Sequence, residues 1–168
     1  HPNTDWFDAV FKDYSSSQNH SLSINGGSQN VSYFVSYGHQ SDDGLYEANS
    51  TNYKRHNVKA NIDIKINEFL SFALDLTGIQ ENRNYSTYSG GTYYRPDIEY
   101  TLYDLTTRMW PTSPAFWPNG LPGPDFERGS QPVVISSDVP GFDRDKRYYS
   151  NNMFSATLKI PWVTGLSL

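Results

Sequence analysis

At 168 residues and 19.1 kDa the chain has room for a sizeable core, yet only 36% of it is hydrophobic and 18% charged, while aromatics reach 15%. The 13 Tyr, 9 Phe and 4 Trp argue against disorder, and a net charge of −5 argues against a nucleic-acid surface. Zero Cys removes disulfide frameworks, thiolate zinc sites and cysteine nucleophiles, and the lack of any apolar run beyond three residues excludes a transmembrane helix or signal-peptide core.

In chain order, the first predicted element is a short amphipathic helix within Thr4–Lys12, led by Asp5, Trp6 and Phe7. Strands follow. His20–Asn25 alternates Leu22 and Ile24 against Ser21 and Ser23. Val31–Gly38 sets Val31, Tyr33, Val35 and Tyr37 against Ser32, Phe34 and Ser36. Asn57–Ile66 is the clearest case, with Val58, Ala60, Ile62, Ile64 and Ile66 opposite Asn57, Lys59, Asn61, Asp63 and Lys65. Leu70–Gly78 opposes Leu70, Phe72, Leu74 and Leu76 to Ser71, Ala73, Asp75 and Thr77. A second helix is predicted over Pro96–Met109, where Ile98, Leu102, Leu105 and Met109 recur at helical spacing. A fifth strand covers Phe154–Ile160, and Leu166-Ser167-Leu168 begins a sixth.

The connections alternate in length. Gly26-Gly27-Ser28-Gln29-Asn30, Asn67-Glu68-Phe69 and Pro161-Trp162-Val163-Thr164-Gly165 are tight turns. Between them lie a medium connection over 40–54 and a long one, about 80–147, rich in Gly, Pro, Tyr and Trp. Short turns at one end and long loops at the other are the pattern of a transmembrane β-barrel. A soluble antiparallel sheet alternates too, and from pattern alone the two stand level. Strand runs near the ~9–11 residues that cross a bilayer, against ~5–6 in globular sheets, favour the barrel. So do Tyr85, Tyr88, Tyr148 and Tyr149 at the long-loop end and Trp162 at a short turn, placed like interfacial girdles. Slipping Asn57–Ile66 by one residue would put Lys59, Asp63 and Lys65 on the apolar face, at roughly 2–4 kcal/mol per Lys at mid-bilayer. The charged row therefore faces water.

Several passages carry a family resemblance. Asn3-Thr4-Asp5-Trp6 with Phe11, then His20 to Gly27, resembles the start of the barrel in SusC/RagA-type TonB-linked outer-membrane proteins. Tyr33-Phe34-Val35-Ser36, Asp43-Gly44 and Tyr53 to Asp63 fit the same pattern. Arg108 to Pro114 with Asn119-Gly120 resembles the family's P-x-x-P … D/N-G passage. Gln131-Pro132-Val133 resembles its N-P-V, with Gln in place of Asn, and Pro161 to Leu168 resembles the turn and strand that follow. The resemblance runs from Asn3 to Leu168. It implies an all-β fold: an antiparallel transmembrane β-barrel segment of about five strands and the start of a sixth, from a barrel of roughly 22 strands with an internal plug. Residues 1–19 would lead in from the plug and 20–168 would form the strands, with the plug and the remaining barrel outside this chain. Too few strands are present to close a barrel, so a fragment is expected.

By the same resemblance the function is a segment of a TonB-dependent nutrient importer in a Gram-negative outer membrane, crossing it several times. Its expected partners are a SusD-like lipoprotein, the TonB complex through the absent N-terminal part, outer-membrane lipid and an oligomeric nutrient, glycan or oligosaccharide ahead of peptide. Transport without chemistry is expected, with no enzyme activity, no cofactor and no nucleic acid. The rival reading is a soluble carbohydrate-binding β-sandwich with the aromatic loop as its platform.

The residues show no catalytic signature. His1, His20, His39 and His56 do not cluster at ligand spacing, and His39 with Ser41, Asp42 and Asp43 reads as a strand entering an Asp-Gly turn. Asp42, Asp43 and Glu47 fit a solvated loop, since their spacing is not that of an EF-hand. The sequons at Asn19, Asn30, Asn49 and Asn84 are expected by chance in an Asn/Ser-rich chain. Asn57, Lys59, Asn61, Asp63 and Lys65 would line the lumen, against the plug or a substrate path. In the long loop Tyr93, Tyr94, Trp110, Phe116 and Trp117 are candidate substrate or lid-protein contacts, because flat rings stack on sugars and anchor partners. With Tyr100 and Tyr103 they could instead form a small core of the loop itself.

Overall fold

The computed structural model describes residues 2–48, 50–86, 98–125, 131–160 and 162; of Ile98–Thr101 only the backbone is described. Its elements are α1 (Trp6–Val10), β1 (Ser17–Gly27), β2 (Val31–Asp43), β3 (Asn52–Lys65), β4 (Leu70–Ser86), α2 (Ile98–Arg108), α3 (Pro132–Ile135) and β5 (Phe142–Leu158). The strands make one antiparallel sheet in the order β1-β2-β3-β4-β5, which does not close on itself. The sheet is all-β in the expected sense. The sixth strand predicted at Leu166-Ser167-Leu168 lies outside the described residues.

The strands are longer than their apolar runs. β2 continues past Gly38 to Asp43, β3 begins at Asn52, and β4 runs to Ser86. β5 begins at Phe142, inside the stretch expected to be loop. Backbone pairing does not depend on side-chain polarity, so the ladder continues where apolar alternation has stopped. Short turns hold the register. Ser28 N–H donates to the Val31 carbonyl at 2.6 Å, and Ile66 N–H to the Leu70 carbonyl at 2.9 Å. The Asn67 side chain accepts from the Phe69 and Leu70 amides at 2.8 and 2.9 Å, an Asx turn that starts β4.

The chain divides into two compact units. The first comprises His1–Ser17, Asp42–Tyr53 and Arg83–Asp145; the second comprises Gln18–Ser41, Lys54–Asn82 and Lys146–Leu168. Among the described residues, every buried hydrophobic side chain belongs to the first unit: Trp6, Val10, Tyr46, Leu102, Met109, Ala115, Val133 and Ile135. The three helices pack on one another around it. α1 starts where Asp5 accepts from Phe7 N–H at 3.0 Å and Asp8 N–H at 3.3 Å. Trp6 is buried and its indole N–H donates to the Trp110 carbonyl at 3.0 Å, while the Thr4 hydroxyl donates to the Ser113 carbonyl at 2.7 Å.

α3 has only four residues and no helical periodicity to announce it. It forms because Gln131 caps it and Pro132 supplies a pre-set φ at the first helical position. The Gln131 side-chain oxygen accepts from Val134 N–H at 3.0 Å, and its amide donates to the Ala115 carbonyl at 3.0 Å. At 4% exposure Gln131 is a buried clamp satisfied at both ends. The Ser50 and Ser86 hydroxyls donate to the Ser136 and Ile135 carbonyls, anchoring the C-terminal end of α3.

Among its described residues the second unit is sheet without a buried apolar core. Leu22, Ile24, Tyr33, Val35, Tyr37, Val58, Leu76 and Phe154, from all five strands, are exposed on one face. Fully burying one such side chain is worth about 1.5–3 kcal/mol, so leaving a whole row of them in water would forfeit a core's worth of stabilisation.

Candidate functional site

Two groups of residues are candidates, one in each unit. In the first unit, the loop between β4 and β5 carries a small hairpin. Phe116 pairs with Pro122, and Trp117 N–H donates to the Leu121 carbonyl at 2.7 Å. Gly120 N–H closes the turn on the Trp117 carbonyl at 2.9 Å, and Asn119 accepts from Leu121 N–H at 3.1 Å. Trp-Pro-Asn-Gly folds this way because Pro118 pre-sets the first central φ and Gly120 takes φ +80°, which an L side chain resists. The hairpin holds out Phe116 at 50% and Trp117 at 47% exposure.

Trp110, 60% exposed, opens the neighbouring turn, closed by Ser113 N–H on its carbonyl at 3.0 Å. Tyr103 is also exposed. The expectation that these aromatics form the loop's own core is corrected: the core uses Leu102, Met109, Ala115, Val133 and Ile135 instead. Trp6 of α1 and Tyr46 complete that core, so the rings of Trp110, Phe116 and Trp117 are left outside. Tyr93 and Tyr94 lie outside the described residues, as do Tyr88 and the side chain of Tyr100.

In the second unit Asn57, Lys59, Asn61, Asp63 and Lys65 share one face of β3, as the alternation requires. Register places partners beside them. The Ser32 hydroxyl donates to Asp63 at 3.3 Å. Gly38, itself buried, leaves room for the Asn57 amide, which a Cβ there would strike. Arg55 lies 3.9 Å from Glu81 on β4, and Asn61 Oδ1 is buried with no hydrogen-bond partner. Where this face meets the short turns, a concavity of about 580 Å³ is lined by Asp63, Lys65, Glu68 and Lys159 together with Phe69 and Phe72, among others. Carboxylates, ammonium groups and hydroxyls there suit water or a polar surface. Among the described residues no group of His, Asp or Glu is arranged to hold a metal ion.

Sequence spacing missed one grouping. His20, His39 and His56 are far apart in the chain, but strand register sets them side by side on β1, β2 and β3. The His20 and His39 rings stack at 6.4 Å between centroids, and His39 and His56 at 4.5 Å. The Tyr37 hydroxyl and His56 Nδ1 share a hydrogen bond at 2.8 Å, and His39 Nδ1 is buried without a partner. Only the pairing of strands could have revealed this row.

A five-stranded meander with one apolar and one polar face, and a folded excursion between its last two strands, defines a class of β-sheet protein whose apolar face needs a cover. Comparison with known proteins narrows the class. No protein-family model matches the chain. Over 60 residues, 36% of this chain and 6% of the relative, it is 38% identical to the TonB-dependent receptor SusC of Bacteroides thetaiotaomicron. Over 99% of its length it also superposes on a chain from the RagAB peptide importer in its closed-closed state, with TM-score 0.61 and 22% identity. That match covers 18% of the neighbour, so the chain spans less than a fifth of the length of either protein. In sequence and fold the chain is related to SusC/RagA-type TonB-dependent receptors.

Proposed function

We propose that the chain is part of the wall of an outer-membrane β-barrel of roughly 22 strands, belonging to a TonB-dependent nutrient importer. The observation that carries this reading is the sheet of the second unit: its apolar side chains are exposed and its polar row is opposite. Lipid tails cover an apolar band at no cost in hydrogen bonding, because the strands satisfy one another's backbone groups. A soluble β-sandwich would bury that face under a second sheet, and the described residues supply none, so the sandwich is not favoured. The fold match and the SusC identity support the same choice.

In this reading residues 1–19 lead in from a plug and residues 20–168 supply the first strands. Asn57, Lys59, Asn61, Asp63 and Lys65 face the wet lumen and the plug. Trp110, Phe116 and Trp117, held out by turns of the long extracellular connection, contact a SusD-like lipoprotein or the captured nutrient, with Tyr93 and Tyr94 assigned the same role. Energy for import comes from the TonB complex through the N-terminal part of the protein. The chain performs no chemistry of its own. Glycan is the first cargo class to test and peptide the second.

The test is a deletion of the whole gene in its native host, with growth measured on defined oligosaccharides and on oligopeptides as sole nutrient sources. Loss of growth on one class assigns the cargo, and unchanged growth on every one overturns the importer. Heat-modifiable mobility of the full-length protein in detergent gels checks the barrel separately, since a soluble sandwich shows none.

A further inference from the structure

Both faces of the second unit differ in charge as well as in polarity. Strand alternation puts Asp63, Asp75 and Glu81 on the polar face, together with Lys59 and Lys65. The apolar face carries no carboxylate over Gln18–Ser41, Lys54–Asn82 and Lys146–Leu158. Its register is set at several heights: Gly26 lies against Tyr33, His20 beside His39, His39 beside His56, Arg55 beside Glu81. Away from the short turns, rows rise through Tyr33 and Ile62, Val35 and Ala60, and Tyr37 and Val58, all apolar or aromatic. The next row is His20, His39 and His56. One row further is Lys54, on β3 two residues beyond His56, and alternation from Phe154 puts Lys146 of β5 on the same face.

We propose that the His20–His39–His56 row, with Lys54, is a binding site for the phosphate headgroup of an outer-leaflet membrane lipid. The inference rests on the barrel reading, which puts the apolar rows beneath it among acyl chains and thereby sets the row at headgroup depth. Its chemistry fits an anion. Each imidazole offers an N–H, Lys54 adds an ammonium group, and no acidic side chain stands on this face within Gln18–Ser41, Lys54–Asn82 and Lys146–Leu158; the first carboxylate on it is Asp43, at the end of β2 and four residues beyond His39. His39 Nδ1 is buried with no hydrogen-bond partner. His56 is held through Nδ1 by the Tyr37 hydroxyl, so Nε2 is the ring nitrogen outside that bond. Stacking of three rings on adjacent strands keeps them in one line along the membrane plane, where interfacial Tyr and Trp rings more usually sit. A row of ordinary girdle aromatics would need no donors and no neighbouring Lys.

The full-length protein, reconstituted in nanodiscs containing a phosphate-bearing outer-membrane glycolipid, provides the test. Native mass spectrometry after mild delipidation counts retained lipid for the wild type, for His39→Gln, for Lys54→Gln and for the triple variant His20→Gln/His39→Gln/His56→Gln. The expected result is retention falling by roughly tenfold in the triple variant and by less in each single one, with heat-modifiable mobility unchanged. Wild-type retention should also fall when the glycolipid is dephosphorylated, and millimolar inorganic phosphate should not displace the lipid. Equal retention by wild type and triple variant, or by phosphorylated and dephosphorylated lipid, overturns the proposal while leaving the barrel in place. Displacement by free phosphate overturns the membrane source. Failure of the wild type to enter nanodiscs or to show heat-modifiable mobility instead overturns the barrel.

Discussion

Gln131 shows how much one side chain can hold. It caps α3 through its oxygen and fastens the Ala115 carbonyl through its nitrogen, all in a buried setting. Gln131→Ala removes the cap and one of the two donors to the Ala115 carbonyl, which keeps the Gly123 N–H at 2.7 Å, and is expected to cost about 1–2 kcal/mol of the first unit's stability. Gln131→Glu keeps the acceptor but turns the donor into a second acceptor facing Ala115, and is expected to be at least as harmful. Limited proteolysis of the long connection in the full-length protein, followed across a urea series, measures both. Leu102 is fully buried among the helices. Leu102→Ala is expected to cost about 2–5 kcal/mol by the same measurement, the range set by how far the site collapses. Gly120 is a conformational case. At φ +80° with nothing near its missing Cβ, Gly120→Val strains the backbone without a clash. Gly120→Asn should keep the hairpin and Gly120→Val should loosen it, read as a changed fluorescence of Trp117.

At the scale of elements the faces of β3 make a paired prediction. Val58 and Lys59 are neighbours on opposite sides of the strand. Val58→Lys places an ammonium group on the apolar face and is expected to lower barrel stability by roughly 2–4 kcal/mol in lipid. Lys59→Gln, on the polar face, should leave it nearly unchanged. Urea-driven loss of heat-modifiable mobility in liposomes compares the two, and similar effects would contradict the assignment of faces. The strand centres were legible from the residues because alternation with period two appears wherever one face is apolar and the other polar. The ends were not: His39 to Asp43, Asn52 to His56 and Gln80 to Ser86 are polar on both sides, and pairing there is a property of the neighbouring strand. α2 was legible from Ile98, Leu102 and Leu105, whereas α3 is too short for a period and depends on a cap and a proline.

At the scale of the whole molecule, freedom from cysteine makes this segment suited to site-directed labelling. In intact cells Val58→Cys, on the apolar face, should resist a membrane-impermeant thiol reagent, while Phe116→Cys on the hairpin should react. Reaction of both at equal rates would place the apolar face in water and remove the barrel. Protection of Phe116→Cys that disappears when the proposed SusD-like lipoprotein is removed would assign the hairpin to the lid contact, and protection by nutrient alone would assign it to cargo.

Much followed from the residues themselves. Alternation decided which side chains share a face, Gly, Asn and Pro decided the tight turns, and the motifs spread from Asn3 to Leu168 pointed to the SusC/RagA relation. Each of these is a local property, settled within a strand or a turn. Tertiary structure decided what depends on distant segments meeting. It chose Leu102, Met109 and Ile135 over the loop aromatics to pack with Trp6, Val10 and Tyr46, because the meeting of the three helices already fills that space. It gave Gln131 a second partner, and it drew three separate histidines into one row, because strand register alone decides who stands beside whom.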